Sequence, residues 1–225
     1  MRLAKPQFDI GLFSNRRDEQ LGFWQGEVGL PYDHMGKLGG GMQQHRHHMN
    51  GAILKMNHAR DPLPVAEPSG YRELFVARSG LAAPKALHDP DGNAVTLVPP
   101  GHDGIASIAV ALTVNNRDAA EHFYRHVLQL PSPRKHVYAV GEALLMVREE
   151  AKVERVDEWR APGYRYITVQ IFDAVAEHAG ILERGGAEGQ PVRLLGDTVR
   201  YSFVRDPDGN FIEISQRASL TGGTL

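Results

Sequence analysis

Cysteine is absent from the 225 residues, which excludes disulfides, thiol nucleophiles and thiolate zinc sites. No apolar run approaches the ~20 residues of a membrane helix. Neither sign of charge dominates: Lys+Arg total 25 against Asp+Glu 27, a formal net charge of -2. A nucleic-acid or anionic-membrane partner would need a basic excess that this composition does not supply. Residues 1–19 lack the apolar core of a signal peptide, so a cytoplasmic protein with no nucleic-acid and no membrane partner is expected. No serine sits in the Gly-x-Ser-x-Gly context of a hydrolase elbow. Gly39-Gly40-Gly41 has no Gly-Lys-Ser/Thr after it, so it reads as a flexible loop between strands rather than a phosphate cradle. Histidine, by contrast, is plentiful: 11 in all, six of them between His34 and His88. Imidazole ligates metals and moves protons near neutral pH.

The chain repeats itself. Ile10–Asp18 aligns with Val110–Asp118 at an offset of 100, with Leu, Asn, Arg and Asp in common. At the same offset Phe23-Trp24 matches Phe123-Tyr124, and Leu30-Pro31 matches Leu130-Pro131. Gly70-Tyr71-Arg72 then matches Gly163-Tyr164-Arg165, and Asp89-Pro90-Asp91-Gly92-Asn93 matches Asp206-Pro207-Asp208-Gly209-Asn210. The order of these marks is the same in both halves, as in a duplicated chain.

Each half divides again. Residues 105–114 read as a strand. A helix follows, with Asp118 as its expected N-cap, Phe123, Val127 and Leu130 on one face, and Pro131 stopping it. There is room for a short strand after Pro131. Residues 136–140 and 143–148 form a hairpin turning at Gly141-Glu142. Residues 164–172 begin the pattern afresh, followed by a helical stripe of Val175, Ala179 and Leu182 that ends at Gly185-Gly186. Strands at 200–205 and 211–215 flank the second Asp-Gly turn. The second half is therefore two βαβββ units in tandem. In the first half, Tyr71 to Asp89 spans 18 residues where Tyr164 to Asp206 spans 42, so the second unit has lost a helix and a strand. The domain organisation expected is 1–100, a paired half with its second unit shortened, and 101–225, a complete paired half.

This pattern of strand, Asp, Phe-Tyr, Leu-Pro, Gly-Tyr-Arg-Tyr and Asp-Pro-Asp-Gly-Asn-Phe-Ile-Glu resembles the vicinal oxygen chelate superfamily over residues 8–216. That group comprises glyoxalase I, the bleomycin-resistance proteins and the extradiol dioxygenases. The resemblance implies an α+β fold in which tandem βαβββ units form two half-open barrels, each pair of units curling its strands around a cavity. Period 2 then turns Ala109, Ala111 and Thr113, Tyr166, Thr168 and Gln170, and Phe211 and Glu213 towards the cavities.

The resemblance also implies a divalent metal that chelates neighbouring substrate oxygens, with His or Glu ligands on the first and last strands of each unit. In the second half those places hold Ala109, Met146, Tyr166 and Glu213; in the first, Asp9, Lys55, Glu73 and Thr96. Glu213 has the ligand type, and Tyr166 suits a proton donor or orienting group; these two are the candidate catalytic residues. Asp9 and Glu73 are candidate ligands, joined by His45 and His47, which share one face of a strand over 42–49 while Arg46 and His48 share the other. Arg46, Lys55, Gln170 and Phe211 are candidate substrate contacts. Two readings stay open. One is an enzyme acting on a small oxygenated molecule with iron, zinc, manganese or nickel, by lyase, isomerase or ring-cleavage chemistry. The other is a metal-free, bleomycin-resistance-like protein that sequesters a small molecule. A second copy of the chain is a further candidate partner, although four units can complete their own cups.

Overall fold

The structure is a computed structural model and describes residues 1–223 and 225. Four units follow one another. The first is β1 (Asp9–Ser14), helix α1 (Arg17–Gly22) and three strands, β2 (Tyr32–Gly39), β3 (Met42–Met49) and β4 (Ala52–Ala59). The second has lost its helix and keeps β5 (Tyr71–Ala77), β6 (Lys85–His88) and β7 (Ala94–Val98). The third is β8 (Ile108–Val114), α2 (Arg117–Glu121), β9 (Val137–Val140) and β10 (Ala143–Glu149). The room after Pro131 holds only an isolated bridge, Arg134 to Val137. The fourth is complete: β11 (Gly163–Gln170), α3 (Ala174–Glu183), β12 (Ala187–Leu195), β13 (Val199–Arg205) and β14 (Phe211–Arg217), followed by the short α4 (Ala218–Thr221). No helix among the described residues is long and apolar enough to cross a membrane.

Local chemistry accounts for the boundaries. Asn116, not Asp118, caps α2, its side chain accepting from Ala119 N at 2.9 Å. Both α1 and α2 widen at their C-terminal ends in the same way. Val28 N reaches Phe23 O at 3.0 Å and Leu128 N reaches Phe123 O at 2.8 Å, five-residue spacings that precede Leu30-Pro31 and Leu130-Pro131. Asp173 caps α3 through Val175 N and Ala176 N. That start sets the buried face at Ala174, His178 and Ile181, while Val175 is 50% exposed; the expected stripe of Val175, Ala179 and Leu182 is off that face. Asn50 and Gly51, both with positive φ, turn the β3–β4 hairpin, as an Asn-Gly pair does.

The units pair differently from the sequence expectation. The eight-stranded sheet runs β12-β13-β14-β11-β1-β4-β3-β2, so it joins the first unit to the fourth. The six-stranded sheet runs β6-β7-β5-β8-β10-β9 and joins the second to the third. Residues 1–100 and 101–225 thus give one unit to each sheet. The joints are the first strands, β1 against β11 and β5 against β8, both antiparallel. Such pairing satisfies edges that would otherwise be left open. It also matches like with like: the two four-stranded units build one sheet and the two three-stranded units the other.

The repeated sequence marks clamp this arrangement. Asp89 Oδ1 accepts from Asp91 N (3.0 Å) and Asn93 N (2.8 Å), and Asp206 Oδ1 accepts from Asp208 N and Asn210 N at the same distances. The second oxygen of each reaches a helix. Gln20 Nε2 donates to Asp89 at 3.0 Å and Tyr124 OH donates to Asp206 at 2.8 Å. The Gly-Tyr-Arg marks cross over: Tyr71 OH donates to Phe211 O at 3.0 Å and Tyr164 OH to Ala94 O at 3.3 Å. The main apolar core lies between the helices and the outward sheet faces, where Leu12, Trp24, Leu54, Leu112, Tyr124 and Ile212 are fully buried. Each aliphatic side chain buried there contributes ~1.5–3 kcal/mol.

Candidate functional site

Alternation along the strands of the eight-stranded sheet turns one set of side chains into its concavity. Gly11 lies beside Lys55 of β4 and opposite Tyr166 of β11, Thr168 is beside Glu213, and Glu213 is opposite Phe203. The concavity is a cavity of about 720 Å³ counting its open mouth. Its wall is aromatic. Trp159 meets Phe13 edge-on at 5.6 Å and Phe203 at 5.1 Å, and Tyr166 meets Phe203 edge-on at 5.7 Å. Leu38 and Gly39 from the β2–β3 hairpin and Leu195 from the β12–β13 hairpin stand at the rim.

Its floor is polar. Lys55, 1% exposed, places Nζ 2.6 Å from Thr168 Oγ1 and 2.6 Å from Glu213 Oε2. Thr168 Oγ1 in turn donates a hydrogen bond to Glu213 Oε2 at 2.6 Å. Burial pushes the Lys55 ammonium down to about 8, against the opposing pull of Glu213 and Asp9. A second chain of hydrogen bonds crosses the cup: Arg46 Nη1 to Gln44 Oε1 (3.0 Å), Gln44 Nε2 to Asn57 Oδ1 (3.0 Å), Asn57 Nδ2 to Tyr166 OH (3.2 Å). Burial, reinforced by Glu213, raises Tyr166 far above the ordinary phenol value, so the hydroxyl keeps its proton. Asp9 is spent within the fold. It accepts from Lys5, from Ile53 N at 2.8 Å and from Gln170 Nε2 at 3.2 Å. Burial works to raise its carboxyl, but Lys5 and Lys55 outweigh that and hold it below the usual value.

The unit pairing sorts the sequence candidates. Asp9, Lys55, Tyr166 and Glu213, drawn from opposite halves of the chain, come together in one cup. Gln170 and Phe211 lie on the same face as Thr168 and Glu213, and Arg46 sits beside Lys55. Glu73 belongs to the other sheet, where it accepts from Thr96 Oγ1 at 2.7 Å. Its register partners there are Ala94 of β7 and Ala111 of β8. His45 and His47 need a correction as partners of Asp9. They pair with Met56 and Leu54 on the outward face of β3, because Arg46 takes the inward one. There His45 Nδ1 is 3.3 Å from Tyr32 OH and His47 Nε2 is 3.4 Å from Gln25. Burial, then His45, pushes His47 down to about 4, so it is neutral at pH 7.

The donors therefore do not fit a divalent metal. Among the described residues no three His, Asp or Glu side chains are grouped to hold one. Among the described residues that line the cavity the carboxylate is Glu213, and it already binds an ammonium that would repel a metal cation. The sequence did not point to Phe13, Trp159, Tyr201, Phe203 or Arg217, which also line the cavity. Period 2 carried from Glu213 to its neighbour β13 would have found Tyr201 and Phe203. Trp159 lies in an irregular segment that carries no periodic signal.

Residues 104–214 match the family model described as the Glyoxalase/Bleomycin resistance protein/Dioxygenase superfamily. No curated protein matches the chain. Among solved structures, a glyoxalase I mutant from Zea mays is similar with a TM-score of 0.75 at 12% identity, covering 100% of this chain and 96% of that one. Glyoxalase I from Zea mays itself gives a TM-score of 0.72 at 12% identity, over 96% of this chain and 92% of that one. At such identities the likeness is one of fold.

Proposed function

The chain belongs to the glyoxalase/bleomycin-resistance/dioxygenase superfamily, and from that premise we propose that it is a metal-free binding protein for a small molecule with a flat, aromatic body and polar substituents. One observation carries the reading. The Lys55 ammonium, 2.6 Å from both Glu213 and Thr168, stands among the positions where the resemblance places metal ligands. A cation is thus already built into the floor of the cup. It acts as a hydrogen-bond donor towards a ligand oxygen, and Glu213 holds it in place. Phe13, Trp159 and Phe203 offer ring faces and edges to a planar ligand, contacts worth about 0.5–1.5 kcal/mol each beyond area burial. Metal-assisted lyase, isomerase or ring-cleavage chemistry would need a donor set that neither concave face assembles among the described residues.

The test is titration of the protein, freed of metal by chelator, with a panel of planar aromatic compounds, read by Trp159 fluorescence. Saturable quenching that a Phe203→Ala variant weakens and that added divalent metal leaves unchanged supports the reading. Binding that appears only once metal is restored overturns it.

A further inference from the structure

The charges of the cup do not balance. Lys55 is paired with Glu213, and Lys5 with Asp9. Arg46, 8% exposed, has Asp33 Oδ2 3.8 Å from its Nε, an ion-pair distance but not a hydrogen bond, and that Nε has no hydrogen-bond partner. Arg217 has no carboxylate within ion-pair distance among the described residues, and its Nε too is buried without a partner. Arg217 follows Phe211, Glu213 and Ser215 on the inward face of β14 and lines the cavity. Ser215 Oγ, on a side chain 0% exposed, is unpartnered as well.

Two guanidinium groups on the inward face of the sheet thus have donors left over. Burial and then Arg217 hold Arg46 below the ordinary guanidinium value, and Arg217 also lowers Lys55. A buried donor without an acceptor is costly, and more so when it is charged. An incoming oxyanion removes that cost at both arginines and completes the charge balance. A planar guanidinium suits carboxylate or phosphate through paired N–H···O bonds.

We propose that the molecule taken by the cup carries an oxyanion, a carboxylate or a phosphate, which seats on Arg217 with Arg46 beside it. The inference rests on the cup being a small-molecule site and adds the class of ligand. The aromatic wall takes the body, and the arginines take the charged end.

Three probes of one shape test it: naphthoate, naphthyl phosphate and the neutral naphthylmethanol, each titrated against Trp159 fluorescence. The expected result is that at least one anionic probe binds about tenfold or more tightly than the neutral one. The tighter of the two anions identifies carboxylate or phosphate as the cognate group. Arg217→Gln should erase the preference, lowering the affinity of the favoured anion about tenfold and that of naphthylmethanol much less, and Arg217→Lys should keep part of it. Equal binding of all three, or naphthoate and naphthyl phosphate affinities unmoved by Arg217→Gln, overturns the oxyanion proposal and leaves the cup reading standing. Absence of quenching by all three up to about 1 mM overturns both.

Discussion

Gly11 and Tyr166 face one another across the β1–β11 joint, and a Cβ on residue 11 would fall within the Tyr166 ring. The ring needs that space because Phe13, Trp159 and Phe203 enclose it on its other sides. Gly11→Ala should therefore destabilise the fold by about 1–3 kcal/mol through overpacking. In a Tyr166→Ala background the same change should cost less than about 0.5 kcal/mol, since the ring atoms nearest that Cβ are gone. Urea denaturation of the four proteins in this cycle measures both values. Equal costs in the two backgrounds would mean that the ring does not depend on the glycine.

The Lys55–Glu213 pair joins the first unit to the fourth. Removing one member leaves a buried charge without a partner, so Lys55→Met should cost about 3–5 kcal/mol. Adding Glu213→Gln to it should recover most of that loss, because the uncompensated carboxylate disappears. Denaturant midpoints of the two singles and the double show whether the coupling is present; simple additivity would contradict it.

Two groups pull the pH dependence of stability in opposite directions. His47 lies at about 4 in the fold against an ordinary 6.5, so between those values the unfolded chain holds a proton that the folded one has released. Stability from His47 is therefore lost as pH falls through that window, by about 2–3 kcal/mol. Burial raises Asp206 to about 6 against an ordinary 3.8, so here the folded chain holds the extra proton and stability is lost as pH rises through its window. In the native protein the two slopes offset each other between about pH 4 and 6. Asp206→Asn removes one of them. Melting temperatures of that variant should fall more steeply than the native protein's on going from pH 6.5 to 4. Parallel curves would contradict these assignments.

The inward face of the eight-stranded sheet was legible because aliphatic side chains such as Ile167, Val169, Ile212 and Ile214 alternate with aromatic or polar ones along β11 and β14, although both faces are buried. Tyr166, Thr168, Gln170, Phe211 and Glu213 all point where alternation puts them. The partner of each unit was not legible. All four first strands carry similar edges, and nothing local says that β1 should meet β11 rather than β5. That one fact decides which candidates share a cup, and it separates Glu73 from Asp9. The repeated Asp-Pro-Asp-Gly-Asn run marked the duplication, but its work became visible only in three dimensions, as the turn whose carboxylates hold Gln20 and Tyr124. Trp159 and Arg217 escaped notice for opposite reasons. Trp159 lies outside any regular element, and Arg217 lies at the end of a strand whose polar residues look like a solvated terminus. The histidines were plentiful in the sequence, but His45 and His47 lie on the outer face of the sheet, where Arg46 leaves them.

In the proposed binding protein the Lys55 ammonium is the cation of this cup. The most direct measurement is the metal content of the protein purified without chelator, by elemental mass spectrometry, before and after exposure to iron, zinc, manganese or nickel salts. No stoichiometric metal is expected in the native protein under either condition. One equivalent of metal per chain, lost in a Glu213→Gln variant, would contradict it.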